Sequence, residues 1–306
     1  MLKSHFYIKP IHFFVFSLFL ICLISCELNN KIKTKDSNIE SITIAQDIKD
    51  YWYDGKAEIT SYELTQQRYG EARKGKAVLV YVTEDFDDEQ LLKTNSKDRT
   101  DFSVLKLNAM KNFTTGIYPY HIMQSTFLPM KKNLEAAKIT TSIQEWCGQS
   151  YMQLEQRKQQ EIQINSYFKK VGNYKTKLQN YSTENALWTQ LRLFPLEINL
   201  DVDKMIPSFE YLRLNNIEVD AYQVDVSQIK NETQLTTSLN YPSLKRSVEI
   251  TQMLKKPFAI IGWKEIIKKN DSSYVTSAKK IGHIKIDYWN KNSNQFLYLR
   301  DTLNLQ

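Results

Sequence analysis

Apolar and polar residues alternate along most of the chain with a period of two, not with the 3.6-residue period of a helix. Alternation of this kind places apolar side chains on one face of a strand and polar side chains on the other. The segments 57–65 and 76–83 are therefore predicted to pair as a hairpin across a charged, glycine-containing turn at 69–75. Further strands are predicted at 102–107, 120–127, 139–149, 209–214, 219–226, 247–253, 258–263 and 281–289.

The stretch 150–167 is typical of a long hairpin with one solvated face, because Met152, Leu154, Ile162 and Ile164 are separated by polar residues. Regular short strands of this kind favour an antiparallel sheet over alternating strands and helices.

One segment has helical spacing. Its apolar residues are Leu187, Trp188 and Leu191, a cap is available at Ser182 or Thr183, and Pro195 ends it. We therefore predict a mainly β fold with minor α content. It is an antiparallel curved sheet or half-barrel with one short amphipathic helix near residues 183–193.

The N-terminus has the organisation of an export signal. Lys3 and Lys9 precede an apolar run at 11–24 that is too short to span a bilayer comfortably. The run ends in Leu23-Ile24-Ser25-Cys26, which resembles the lipobox of bacterial lipoproteins, where the signal is cut before the cysteine and the thiol is joined to diacylglycerol. An uncleaved membrane anchor is the alternative.

These features divide the chain into three parts. Residues 1–25 are predicted as a lipoprotein signal peptide, with cleavage after Ser25 and lipidation at Cys26. Residues 26–46 are polar and are predicted as a tether. Residues 47–306 form a β-rich globular domain, either undivided or in two halves that meet near 180–200.

Cysteine usage follows from this division. Cys22 leaves with the signal and Cys26 is acylated, so Cys147 remains alone and no intrachain disulfide forms. With His121 as base, Cys147 could form a nucleophilic pair. Its place in the predicted strand at 139–149 favours a buried structural cysteine instead, because activated thiols prefer helix N-termini or cationic neighbours.

Composition limits the remaining chemistry. The chain is 42% hydrophobic and 25% charged, so it can bury a sizeable core. Its 8 glycines and 7 prolines leave no glycine-rich phosphate loop, and we find no known catalytic motif. The acidic run at 84–89 offers oxygen ligands for a hard cation, but it lacks the spacing of a calcium loop and is interpreted as a solvated strand end. No cofactor or metal is predicted.

The formal net charge of +7 gathers toward residues 245–291. Export argues against nucleic acid as the partner. Lipid headgroups or lipopolysaccharide phosphates are one interpretation of this basic region, and solubility is the other.

Several motifs resemble a family of uncharacterised lipoproteins from Bacteroidota, commonly labelled "septum formation inhibitor Maf". They include Tyr51-Trp52-Tyr53-Asp54-Gly55, Phe113-Thr114-Thr115-Gly116-Ile117-Tyr118-Pro119-Tyr120 and Asp287-Tyr288-Trp289-Asn290. True Maf proteins resemble nucleotide pyrophosphatases with a Ser-Pro-Arg-Arg turn. This chain has no Ser-Pro dipeptide and no Arg-Arg pair. The resemblance therefore implies a lipoprotein but supplies no catalytic residues.

We predict a non-enzymatic, lipid-anchored protein of the cell envelope, at the outer membrane and facing the periplasm. Its curved sheet is expected to bind an apolar ligand or an envelope protein, with Tyr118, Tyr120 and Trp263 as candidates for the ligand face. The alternative is an envelope hydrolase or a Maf-like nucleotide pyrophosphatase.

Overall fold

Thirteen strands form one antiparallel sheet that curves without closing into a barrel. The computed structural model describes residues 44–95, 101–130 and 135–305. The predicted signal peptide, Cys26 and nearly all of the tether lie outside these residues. The prediction of a mainly β fold with an antiparallel curved sheet is confirmed.

The sheet grows outward from its middle. β1 (Ala57–Arg68) pairs with β2 (Glu71–Phe86) on one side and with β16 (Ser272–Ile286) on the other. The remaining strands of this sheet are β3 (Phe102–Thr115), β4 (Tyr118–Pro129), β5 (Lys138–Glu145), β6 (Gly148–Gln156), β7 (Gln160–Ser166), β8 (Tyr174–Leu178), β12 (Asp225–Lys230), β13 (Gln234–Tyr241), β14 (Arg246–Met253) and β15 (Ile260–Lys269). Successive hairpins add β3 to β8 beyond β2, and β15 to β12 beyond β16.

The segment between β8 and β12 carries two helices. They are α2 (Glu184–Leu193), which contacts β3 and β4, and α3 (Phe209–Asn215), which contacts β4 and β5. A small sheet accompanies them, with β9 (Ser182–Thr183), β10 (Lys204–Ile206) and β11 (Tyr222–Gln223). Two further helices lie near the ends of the described region, α1 (Gln46–Trp52) and α4 (Tyr298–Thr302).

Both faces of the sheet are buried in part. Alternate residues such as Leu64, Leu105 and Leu128 are fully buried, as expected for strands with one core-facing side. On the opposite face, Ile59 and Val80 belong to a smaller cluster that Leu303 covers. A Cβ at Gly282 would lie 2.8 Å from the Cα of Leu303, so glycine permits the C-terminal segment to approach the sheet.

Three predictions about local structure were wrong. Segment 219–226 is not one strand, because its first three residues lie outside the sheets and Val224 separates β11 from β12. Segment 209–214 is helix α3, not a strand; Ser208 caps it by accepting a hydrogen bond from Tyr211 N–H at 3.3 Å. Segment 139–149 is not one strand, because the chain turns between Glu145 and Gly148. The predicted helix near 183–193 is confirmed as α2, but α1, α3 and α4 show that it is not alone. The long hairpin at 150–167 is confirmed as β6 and β7.

Candidate functional site

A cavity of about 640 Å³ lies between the sheet and helices α2 and α3. This volume falls within the range of roughly 300–1,000 Å³ that is typical of small-molecule sites. Its apolar wall comes from the sheet strands and from α2, and includes Leu79, Leu107, Ala109, Trp188, Val248 and Trp263.

Two tryptophans give this wall its shape. Trp188 of α2 and Trp263 of β15 meet edge to face, with ring centroids 5.2 Å apart. Tyr62 also packs against Trp263, with ring centroids 4.8 Å apart, and donates its hydroxyl to the carbonyl oxygen of Ile260. The indole of Trp263 therefore contacts two other aromatic rings.

Helix α2 is fixed at both ends by buried ion pairs. Thr183 caps the helix by accepting a hydrogen bond from Ala186 N–H at 3.2 Å. Glu184 in the first turn and Arg192 in the last turn have the charge signs that the helix dipole favours. Each side chain reaches an oppositely charged residue of the sheet, so the helix cannot slide along the sheet without separating buried charges.

Arg192 forms two parallel hydrogen bonds to Glu58 of β1, at 2.7 and 2.8 Å. Both side chains are 1% exposed. The guanidinium also donates to the carbonyl oxygen of Pro257 and lies 5.0 Å from the ring of Trp52. Burial alone would raise the pKa of Glu58, but Arg192 outweighs it and holds that pKa well below its usual range.

At the N-terminal end of α2, Glu184 belongs to a charged cluster that also contains Arg246 and Glu265. Arg246 of β14 donates to both carboxylate oxygens of Glu184, at 2.6 and 2.8 Å, and through Nε to Glu265 at 2.5 Å. Tyr241 adds a hydrogen bond to Glu184 at 3.1 Å. Burial opposes ionisation, yet Arg246 lowers the pKa of Glu184. The Glu184 carboxylate is therefore ionised and already bound to the protein itself.

A polar network fixes the start of α3. Lys111 of β3 donates to Glu210 at 2.8 Å, and Gln124 of β4 donates to the same carboxylate at 3.1 Å. Asn185 of α2 donates to Gln124 at 3.0 Å and accepts from Phe209 N–H at 3.2 Å. The network joins both helices to the sheet at the cavity wall.

Two arginines at the rim of the cavity, Arg68 and Arg213, donate hydrogen bonds to neutral oxygens. Arg68 ends β1 and donates to the carbonyl oxygen of Leu214 at 2.7 Å and to the hydroxyls of Tyr69 and Tyr120, each at 3.2 Å. Its guanidinium lies 4.3 Å from the ring centroid of Tyr69.

Arg213 of α3 reaches the same rim. Its Nε donates to Ser150 Oγ at 2.5 Å, and its guanidinium lies 4.6 Å from the ring of Phe168. Burial lowers the pKa of Arg213, and the positive charge of Arg68 lowers it further. Within the described part of the chain, neither Arg68 nor Arg213 forms an ion pair with a carboxylate.

Of the residues proposed for a ligand face, Tyr120 and Trp263 line the cavity, whereas Tyr118 does not. Tyr118 lies beside Tyr120 on β4, with its ring 6.0 Å from that of Tyr120 and 6.3 Å from that of Trp146. Arg68 and Arg213 were not predicted from the sequence as site residues. Arg68 follows Leu64 and Gln66 at two-residue spacing on the buried face of β1. A charged residue on the apolar face of a predicted strand could have indicated a site residue.

The prediction of a buried Cys147 was wrong. The residue is exposed in the turn between β5 and β6. The prediction failed because it continued the strand through that turn. The Glu145 carboxylate accepts a hydrogen bond from Cys147 N–H at 2.7 Å and raises the pKa of the thiol. His121 pairs with Asn112 at 2.7 Å. A raised thiol pKa is the opposite of what an activated nucleophile needs.

The acidic run at 84–89 is involved in local contacts. Glu84 binds Lys93 and Lys106, and Asp87 accepts from Gln90 N–H at 2.5 Å. Over the described residues, no group of three or more His, Cys, Asp or Glu side chains is placed to hold a metal ion. Nor does any helix there have the length and apolar character needed to cross a membrane.

Comparison with known proteins adds little to this geometry. No family model matches the chain, and no curated protein matches it significantly. One solved structure, a β-barrel-like protein of domain of unknown function DUF1849 from Brucella abortus, is similar over 75% of this chain and 97% of its own. The sequence identity is 7% and the TM-score is 0.43. A likeness at this level carries no argument about the function of this chain.

Proposed function

We propose that this protein is a non-enzymatic binding module that holds a ligand in the cavity between its curved sheet and helices α2 and α3. The observation that carries the proposal is the cavity itself, which has a volume of about 640 Å³ and an apolar wall that includes Trp188 and Trp263. A space of this size that combines an apolar wall with a few polar groups is typical of a ligand site.

The state of the cavity carboxylates favours binding over hydrolysis. Glu184 and Glu265 both bind Arg246, and Glu210 binds Lys111. A general acid or base needs a pKa near the working pH, and the pKa of Glu184 is lowered instead. The hydrolase alternative has no comparable support from these residues.

We further propose that Cys26 carries a lipid that anchors the module in the cell envelope, at the outer membrane and facing the periplasm. The support is the sequence Leu23-Ile24-Ser25-Cys26 at the end of an apolar run. Cells fed radiolabelled palmitate should label the wild-type chain and leave Cys26→Ser unlabelled. Equal labelling of both chains would disprove this anchor.

Ligand binding can be tested first without choosing a ligand. Protein purified from its own envelope should show added mass in native mass spectrometry, and the bound molecule should appear in a lipid extract. A bare protein mass with an empty extract would count against a carrier and favour a scaffold.

A neutral apolar probe then tests the location. N-phenyl-1-naphthylamine should gain fluorescence in the wild-type protein, and Ala109→Trp should abolish the gain because the indole fills the cavity. The control is Thr114→Trp, an exposed position on the same strand that does not line the cavity. If both variants bind the probe as the wild type does, the probe lies elsewhere and the proposal fails.

A further inference from the structure

The two arginines at the rim differ from the other cavity arginine. Arg246 is fully buried and bound to two carboxylates. Arg68 and Arg213 are only half-buried, and their hydrogen bonds go to neutral oxygens of Leu214, Tyr69, Tyr120 and Ser150. Proteins usually pair charges that they remove from water, whereas neither of these two guanidinium groups forms an ion pair with a carboxylate of the described residues.

The available donors fit an anion. Arg213 uses Nε for Ser150, and its two Nη groups donate to nothing else in the described part of the protein. A guanidinium presents its donors in a planar fork that matches the two oxygens of a carboxylate or phosphate. The hydroxyls of Tyr69 and Tyr120 share a hydrogen bond of 2.8 Å beside Arg68, so one of their two protons remains to be donated to the same group. The nearby Glu145 carboxylate accepts a hydrogen bond from Cys147 N–H, and its negative charge acts on Arg213 without forming an ion pair with it.

The rest of the cavity fits a hydrocarbon chain. Leu107, Ala109, Trp188 and Trp263 line the same cavity as Arg68 and Arg213. The anionic group and an apolar chain attached to it would therefore find complementary surfaces in one continuous space. A small free anion would leave this apolar wall in contact with water, so the favourable burial of apolar area would not contribute to its binding.

We propose that the cavity binds a single-chain lipid with an anionic head group, which Arg68 and Arg213 hold at the rim while the chain lies against Trp188 and Trp263. This inference rests on the proposed function, since it names the ligand class of the same cavity. Free fatty acids and lysophospholipids with a phosphate monoester share this chemistry.

The test compares ligands that differ only in the head group. Oleate and oleyl alcohol have the same chain, and the quenching of tryptophan fluorescence measures both affinities. We expect oleate to bind at least tenfold more tightly, which is about 1.4 kcal/mol. This advantage should shrink as salt is raised, because the arginines are partly exposed. Equal affinities would overturn the assignment of an anion site. This comparison uses the wild-type protein and needs no variant.

A matched pair of variants locates the site. Arg213→Gln should weaken oleate about tenfold and leave oleyl alcohol unchanged. Lys74→Gln removes one positive charge from an exposed position on β2 that does not line the cavity, and should change neither affinity. Equal losses in the two variants would mean that general surface charge attracts the ligand, and would contradict the proposal.

Competition experiments distinguish a lipid from a free anion. The binding of oleyl alcohol distinguishes failure of this inference from failure of the proposed function. Lysophosphatidic acid should compete with oleate, whereas inorganic phosphate at the same concentration should not. Competition by inorganic phosphate alone would assign the rim to a free anion and overturn the lipid. If oleyl alcohol binds and oleate gains nothing, the inference fails while the proposed function stands. If neither ligand binds, both fail.

Discussion

Helix α2 and the rim of the cavity use arginine in opposite ways. Arg192 and Arg246 are buried, and each forms a two-pronged pair with a carboxylate that is distant in sequence. Arg68 and Arg213 are half-buried and have only neutral acceptors. The buried arginines that bind carboxylates fix the architecture, whereas the rim arginines remain available to a ligand. We therefore expect substitutions in the two groups to have different effects on stability.

The largest effect is expected at the buried pair. Arg192→Met should lower the free energy of unfolding by about 3–5 kcal/mol, because Glu58 would remain buried without its counter-charge. Urea denaturation measures the loss. The double variant Arg192→Met with Glu58→Gln should recover part of it, since no buried charge is then unpaired. A single variant as stable as the wild type would show that the pair does not fix α2.

A pH dependence should follow from Glu135. Burial raises the pKa of this carboxyl from 4.5 to about 7, against hydrogen bonds from Ser182 and Thr183 N–H. Between these two values the folded protein binds more protons than the unfolded chain. The free energy of unfolding should therefore fall as the pH rises from about 4.5 to 7, by up to about 3 kcal/mol.

Unfolding measured at a series of pH values tests this expectation. Glu135→Gln should flatten that part of the profile, because the amide does not titrate. The exposed Glu63→Gln serves as the control and should keep the wild-type slope. A wild-type profile that rises across this window would contradict the assignment.

The difference between the two groups of arginines also explains what the sequence could predict. The strands follow from local alternation, and α2 follows from its cap at Thr183 and its helical spacing. The pair of Arg192 with Glu58 joins residues 134 positions apart, which no local pattern shows. The cavity arises from such long-range packing, and so Tyr120 and Trp263 could be proposed from aromatic content alone but not placed together.

Helix α3 was missed for a local reason. Its first residues, Phe209-Glu210-Tyr211, alternate apolar and polar like a strand. The competing signals were Ser208 as a cap and Asn216, which ends the helix in a left-handed conformation. Because α3 carries Arg213, the wrong assignment also hid one of the two rim arginines.

The cap of α3 should have an intermediate effect on stability. Ser208→Ala removes the acceptor of Tyr211 N–H and should cost about 1 kcal/mol. Ser227→Ala, at an exposed position on the edge strand β12, is the matched control and should cost close to nothing. Urea denaturation of both variants measures the difference. Equal losses would mean that the cap contributes nothing specific.

The smallest effect on stability is expected at the rim. Arg213→Met should change the free energy of unfolding by less than about 1 kcal/mol, because it removes a half-buried charge and strands no carboxylate. Relief of the repulsion from Arg68 offsets part of the lost hydrogen bond to Ser150. Urea denaturation beside Arg192→Met measures the contrast. If Arg213→Met were as damaging as Arg192→Met, the rim arginines would belong to the architecture, and the distinction between fixed and available charge would be wrong.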